Sequence, residues 1–172
     1  MYGYDLNLTS SAVATVRYNT ELPIIAKLAP NVPDIAAVAD AAVNGGADAL
    51  TICNTMPAMD IDIKSGKPVL GNIYGGLSGP SLRPIALRLV HETAQHFKKK
   101  GISIPIIGVG GISKVEHALK YFIAGASAIQ IGTANWVDPD VSWRVLNDLE
   151  QYLASMNICN INELQKQYES NK

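Results

Sequence analysis

Pro105-Ile-Ile-Gly-Val-Gly-Gly-Ile112 is a short run of β-branched residues that stops abruptly at paired glycines. Its outline returns at Ala126-Ser-Ala-Ile-Gln-Ile-Gly-Thr-Ala134. A continuous apolar run of this kind reads as a strand buried on both faces, and glycine at its end lets another group approach the backbone closely. Between the two runs, Val115, Ala118, Leu119, Phe122 and Ile123 fall at helical spacing within Lys114–Gly125. The stretch therefore predicts two parallel strands joined by a helix.

The rest of the chain repeats this rhythm. Residues 5–19 carry Leu6, Ala12, Val13 and Val16, with Asp5 or Asn7 as a cap, and predict a first helix. Leu22–Leu28 reads as a strand stopped by Pro30 and Asn31, and Asp34 opens a helix with one stripe of Ile35, Val38, Ala39, Ala42 and Val43, closed by Gly45-Gly46. A strand follows at Ala47–Cys53. After Pro80 and Pro84 a long helix bears Leu82, Ile85, Ala86, Leu89, Val90, Thr93 and Phe97. The last long helix bears Val141, Val145, Leu149, Tyr152, Leu153 and Met156, and a turn or two of helix is expected around Ile161–Tyr168.

Four strands, each followed by a helix and each crossover long enough for parallel pairing, define an α/β class. The arrangement predicted is half of a TIM (β/α)8 barrel, about four parallel strands with helices plus a β-hairpin insertion. A closed barrel needs about eight strands, so two strand edges should stay unpaired. Residues 1–172 read as a single domain, with a hairpin or lid at 54–79 and a polar tail at 157–172.

Composition narrows the function. The chain has 172 residues, 48% of them hydrophobic, and a net charge of −1, which suits an ordinary folded core and leaves no basic face for nucleic acid or anionic membrane. Lys98-Lys99-Lys100 sits at a helix C-terminus, where cations favour the dipole. No window approaches 18 uninterrupted apolar residues and no signal-peptide pattern opens the sequence, so a soluble cytoplasmic protein is expected. Cys53 and Cys159 are too few and too far apart for a disulfide framework or a zinc site.

If all strand C-termini share one rim, Lys27, Asn54, Thr55, Gly79, Gly110, Gly111, Gly132 and Thr133 converge there. Gly110-Gly111 and Gly132-Thr133 read either as tight turns or as two halves of one phosphate cradle built from bare backbone N–H groups. Lys27, in an otherwise apolar strand, either meets an anion or snorkels from the rim. Asn54 and Thr55 either cap the loop or offer paired hydrogen bonds to an amide or imide ligand. Cys53 reads as core, and His91, His96 and His117 as surface or helix-packing residues. Trp136 and Trp143 read as packing. Ser78 lacks both the preceding strand and the histidine that a nucleophile elbow requires.

Ala26-Lys-Leu-Ala-Pro-Asn31, Ile52-Cys-Asn-Thr55, Gly75-Gly-Leu-Ser-Gly-Pro-Ser-Leu-Arg-Pro-Ile-Ala-Leu-Arg88, Ile106-Ile-Gly-Val-Gly-Gly111 and Gly125-Ala-Ser-Ala-Ile-Gln-Ile-Gly-Thr133 closely resemble, in the same order, the class 1 dihydroorotate dehydrogenases. The resemblance covers the second half of that family's FMN-binding barrel. It implies oxidation of dihydroorotate to orotate in pyrimidine (UMP) biosynthesis, with FMN as cofactor. Lys27 would lie against the flavin, Cys53 would touch it through its backbone, and Gly79 would lie in an FMN-binding loop. Gly110, Gly111, Gly132 and Thr133 would hold the phosphate, while Asn54 and Thr55 would hydrogen-bond orotate. The NAD-linked type, with its iron–sulfur and FAD partner subunit, is slightly nearer than the fumarate-using type.

Two departures accompany the resemblance. Ala29 stands where the family usually has Ser or Thr, and nothing matches the family's cysteine, on a loop after the fourth strand, that takes a proton from the dihydropyrimidine. Met1-Tyr-Gly-Tyr-Asp5 is similar to the segment just downstream of that loop, and the resemblance implies that Met1 would be an internal methionine or the start of a split or truncated gene product. A general base is worth about 10²–10⁴ in rate, so the isolated chain is expected not to turn over. The alternatives are a dihydropyrimidine dehydrogenase-like flavoprotein domain and a non-catalytic half-barrel that self-associates through its open edges.

Overall fold

The structure, a computed structural model, describes residues 3–169. Met1 and Tyr2, with which the family-like N-terminal segment opens, and residues 170–172 of the polar tail lie outside the described residues. In chain order the elements are α1 (Leu6–Tyr18), β1 (Ile25–Leu28), α2 (Ile35–Asn44), β2 (Ala49–Ile52), the short strands β3 (Met56–Ala58), β4 (Ile61–Asp62), β5 (Lys67–Pro68) and β6 (Gly75–Leu77), then α3 (Arg83–Lys100), β7 (Ile106–Val109), α4 (Val115–Ala124), β8 (Ala128–Gln130), α5 (Ala134–Val137), α6 (Val141–Ser155) and α7 (Ile161–Glu169). A single 3-10 turn, Gly79–Leu82, leads into α3.

β1, β2, β7 and β8 form one parallel sheet in that order. Its register aligns Leu28, Ile52, Gly108 and Ile129 in one row and Lys27, Thr51, Ile107 and Ala128 in the next. Because successive side chains alternate faces, these rows belong to opposite sides of the sheet. The first side is buried: Leu50, Ile52 and Ile106 pack with Val38 and Ala42 of α2, Leu89 and Val90 of α3, and Phe122 of α4. On the second side Ile25 is 53% exposed, and Lys27, Ala128 and Gln130 are exposed too. Helices thus cover one face, and among the described residues β1 and β8 each pair along one edge only. A twisted parallel sheet with outer helices and an open inner face is part of a TIM barrel.

Local signals explain where the helices begin. Asp34 accepts from the N–H groups of Ala36 and Ala37 at 2.9 and 3.1 Å, and Asp5 accepts from Leu8 at 2.9 Å, so both cap free amides of a first helical turn. Asp40 of α2 ties α3 through His96 at 2.9 Å and Lys100 at 2.6 Å. From Asn54 onward, β3 pairs antiparallel with β6 and, nested between them in the chain, β4 pairs with β5, so the expected insertion is a hairpin excursion built of two short ribbons.

Several expectations are corrected. Trp136 and Trp143 do not pack: they are 91% and 67% exposed. α5 is only four residues long and has no buried residue, and Val141 and Val145 provide the buried stripe of α6. Met156 is exposed because α6 ends one residue before it. Leu6 and Val16 of α1 are exposed as well, and Thr9 is the buried residue of that helix. α1 packs against the core through Val13 of the expected stripe, and Arg17 adds a polar tie, its guanidinium donating to the Gly46 carbonyl at 3.1 Å and pairing with Asp48.

Leu50 lies fully buried in the second strand of the sheet. Leu50→Ala is expected to cost about 2–5 kcal/mol of stability, through lost apolar contact and an unfilled cavity. Urea unfolding followed by far-UV circular dichroism checks this, and a midpoint unchanged from the parent would contradict the packing described.

Candidate functional site

Because the four strands run parallel, their C-terminal ends meet at one rim, where the outgoing loops enclose a cavity of about 440 Å³. Lys27, Cys53, Asn54, Thr55, Gly79, Gly110, Gly111, Gly132 and Thr133 all line it. The sheet register explains the reach of Lys27, which stands one position before the end of β1 on the open inner face. Among the described residues its ammonium has no carboxylate partner.

Cys53 and Asn54 are fixed by backbone bonds that splay the end of β2 between its neighbours. The Cys53 N–H donates to the Val109 carbonyl at 3.3 Å and the Asn54 N–H to the Leu28 carbonyl at 2.9 Å. Cys53 can therefore offer a ligand its carbonyl and not its N–H. Burial pushes the Cys53 thiol up to about 11, against the opposing field of Lys27. It is a neutral group near pH 7 and no thiolate nucleophile.

Asn54 and Thr55 are exposed into the cavity and also border a second hollow of about 400 Å³ lined by Tyr4, Asn31 and Tyr74. Asn31 donates from Nδ2 to the Tyr4 hydroxyl there. Gly76 of β6 runs close against Thr55: a Cβ at Gly76 would lie 2.1 Å from Thr55 Oγ1. The ribbon is thus shaped around Thr55.

The glycines do two jobs. Gly110 and Gly111 have φ of 142° and 64°, conformations that suit glycine alone. Their bare α-carbons also face the protein, since a Cβ on Gly110 would lie 2.8 Å from Ala86, and one on Gly111 would lie 2.6 Å from the Gly79 carbonyl. Close backbone approach here serves α3 and its leading turn as well as the cavity. Gly132 has open space where a Cβ would be.

Four residues in this region were not singled out as site residues by the sequence. Arg83 Nη1 donates to the Gly111 carbonyl at 3.1 Å, the Tyr121 hydroxyl donates to the Gly110 carbonyl at 2.7 Å, and Asn135 Nδ2 donates to the Ile131 carbonyl at 2.6 Å. His117, expected on the outer surface or in helix packing, is half-buried behind the first glycine turn, where Nδ1 accepts from the Ser113 N–H at 3.3 Å. Burial and the neighbouring Arg83 and Lys120 charges lower its proton affinity. One signal in the sequence pointed this way: Gly108, in mid-strand, makes room for the ring of Tyr121, which a Cβ would meet at 2.4 Å.

At the rim, Asp138 is paired with Arg144. With that carboxylate engaged and the Cys53 thiol neutral, the lining offers a cation and backbone donors rather than a proton acceptor. A parallel sheet whose strand ends carry an amide-lined, cationic cavity defines a protein of the α/β-barrel class, with its cavity at the rim where such barrels hold their ligands.

Comparison with known proteins agrees with that class and narrows it. A family model described as dihydroorotate dehydrogenase matches residues 1–153. The catalytic subunit of dihydroorotate dehydrogenase B (NAD(+)) from Desulforudis audaxviator is 48% identical over 163 residues, covering 95% of this chain and 52% of that protein. Its namesakes from Geotalea daltonii and Carboxydothermus hydrogenoformans are 44% and 48% identical, with the same coverage. The chain belongs to the dihydroorotate dehydrogenase family, a family of oxidoreductases. It spans about half the length of the curated relatives it matches. No helix among the described residues is long and apolar enough to cross a membrane.

The two cysteines should differ sharply toward iodoacetamide at pH 8.5. Cys159 is exposed, whereas a buried Cys53 with a value of about 11 is overwhelmingly protonated. Mass mapping is expected to find Cys159 modified at least about tenfold faster, because the thiolate is the reactive form. Equal rates would contradict the burial of Cys53.

Proposed function

We propose that this chain forms the FMN-binding and orotate-facing part of a dihydroorotate dehydrogenase acting in pyrimidine biosynthesis. The observation that carries the reading is the convergence, on one cavity, of an unpaired ammonium from Lys27, the Asn54 and Thr55 side chains and two glycine turns. The residues present fit FMN: about 440 Å³ lies within the roughly 300–1,000 Å³ usual for cofactor sites, and bare amides beside a cation suit a phosphate and an electron-rich ring. FMN, when bound, supplies the acceptor for the two electrons that leave dihydroorotate.

The chain's own residues then bind and orient. The glycine turns take the phosphate, Lys27 places positive charge against the ring system, and the Cys53 carbonyl is the backbone contact left to that residue. Asn54 and Thr55 pair with the amide and imide edge of the pyrimidine, and the β3–β6 ribbon acts as a lid that keeps Thr55 in place. The proton goes to a base within reach of the bound pyrimidine, a group that none of the site residues named above supplies. An electron-transfer subunit carrying an iron–sulfur centre and FAD is the expected partner, in keeping with relatives named as catalytic subunits of an NAD(+)-linked enzyme.

Difference absorption spectroscopy tests the site without requiring turnover. FMN should bind, and orotate should then perturb the flavin spectrum where uracil does not. Asn54→Ala should weaken orotate by roughly three- to tenfold, the worth of one hydrogen bond, while leaving FMN affinity in place. A flavin spectrum indifferent to orotate, or one that answers uracil equally, would remove the proposal.

A further inference from the structure

The two glycine turns are held from behind in the same way. At the first, the Tyr121 hydroxyl fixes the Gly110 carbonyl and Arg83 fixes the Gly111 carbonyl. At the second, Asn135 Nδ2 bridges the Ile131 and Gly132 carbonyls at 2.6 and 3.2 Å. Ser142 Oγ donates to Asn135 Oδ1 at 3.1 Å, which sets the orientation of that amide. The peptide bonds concerned are trans, so each carbonyl points away from the N–H that follows it in the chain. Four N–H groups are thereby turned from their clamps: those of Gly111 and Ile112, and those of Gly132 and Thr133. Among the described residues none of the four has a protein acceptor. The next amide, Ser113, is spent on His117, so the bare series at the first turn ends at Ile112.

We infer that Tyr121, Arg83 and Asn135 are positioning residues for a phosphate monoester: three donors behind the turns that aim four backbone amides at one dianion. The inference rests on the FMN reading above and deepens it, since it assigns affinity for the phosphate to side chains that need not touch the ligand. Tyr121 is fully buried, and its ring fills the space left by Gly108. Its hydroxyl can therefore reach an anion only through the Gly110 peptide. Unclamped, these peptides could rotate and present carbonyl oxygens to the phosphate, so four hydrogen bonds from three side chains decide the sign of the field on the cavity side.

FMN and riboflavin differ only in the phosphate, and their affinities, read from flavin fluorescence, isolate this effect. The chain should prefer FMN to riboflavin. Tyr121→Phe, which keeps the ring and removes one orienting hydrogen bond, and Asn135→Ala, which removes two, should each reduce FMN affinity by roughly three- to tenfold or more and leave riboflavin within about twofold. Parental preference for FMN in both variants, or equal loss of both flavins, would overturn the inference and leave FMN binding itself standing. An unaltered chain that does not bind FMN, or does not prefer it, would overturn the FMN reading and the inference together. Should Tyr121→Phe fail to fold, Asn135→Ala, at a half-buried position outside the core, decides the question by the same ratio.

Discussion

Parallel register between β1, β2, β7 and β8 is the constraint on which the site depends. It puts Lys27 level with Thr51 and Ile107, and it brings the ends of four strands to one rim. Slipping one strand by a residue would turn Lys27 into the helix-packed face and Leu28 onto the open one. The apolar rows on the helix side, from Leu28 through Ile52 to Ile129, resist that slip, because each step would exchange buried side chains for exposed ones. The positions of the chemical groups thus follow from hydrophobic packing on the opposite side of the same sheet.

The glycines of β7 extend this coupling. Gly108 admits the Tyr121 ring, Gly110 admits Ala86, and Gly111 admits the Gly79 carbonyl. Three close approaches bring α4, α3 and the leading turn of α3 against consecutive parts of one strand end. Two of these neighbours also carry the donors that hold the turn, Tyr121 on α4 and Arg83 on α3. Packing and polarity are therefore not separable here: the contacts that fill the core also fix which way the peptides face.

Much of this was legible in the sequence. The strand–helix rhythm, the apolar stripes of α2, α3 and α4 and the glycine-terminated strands predicted a parallel sheet, and the shared rim followed from the direction of the strands. All nine residues named for the site line the same cavity. What stayed hidden depends on contacts across the fold. Tyr121 looks like one more large residue beside Phe122, and nothing local tells that its hydroxyl ends beneath Gly110. Asn135 lies three residues past Gly132, and nothing local marks its side chain as a clamp on the carbonyls before it. Trp136 and Trp143 misled because large aromatic residues are usually taken as core, whereas here valines fill that place.

The exposure of those two tryptophans has an optical consequence. They are the only indoles in the chain, and both already lie in water while the protein is folded. Native and unfolded emission should then resemble each other, which makes intrinsic fluorescence a poor gauge of the core. The same property makes it a selective reporter: a blue shift would signal that some other surface has closed over the end of β8, with the interior of the sheet contributing nothing to the change.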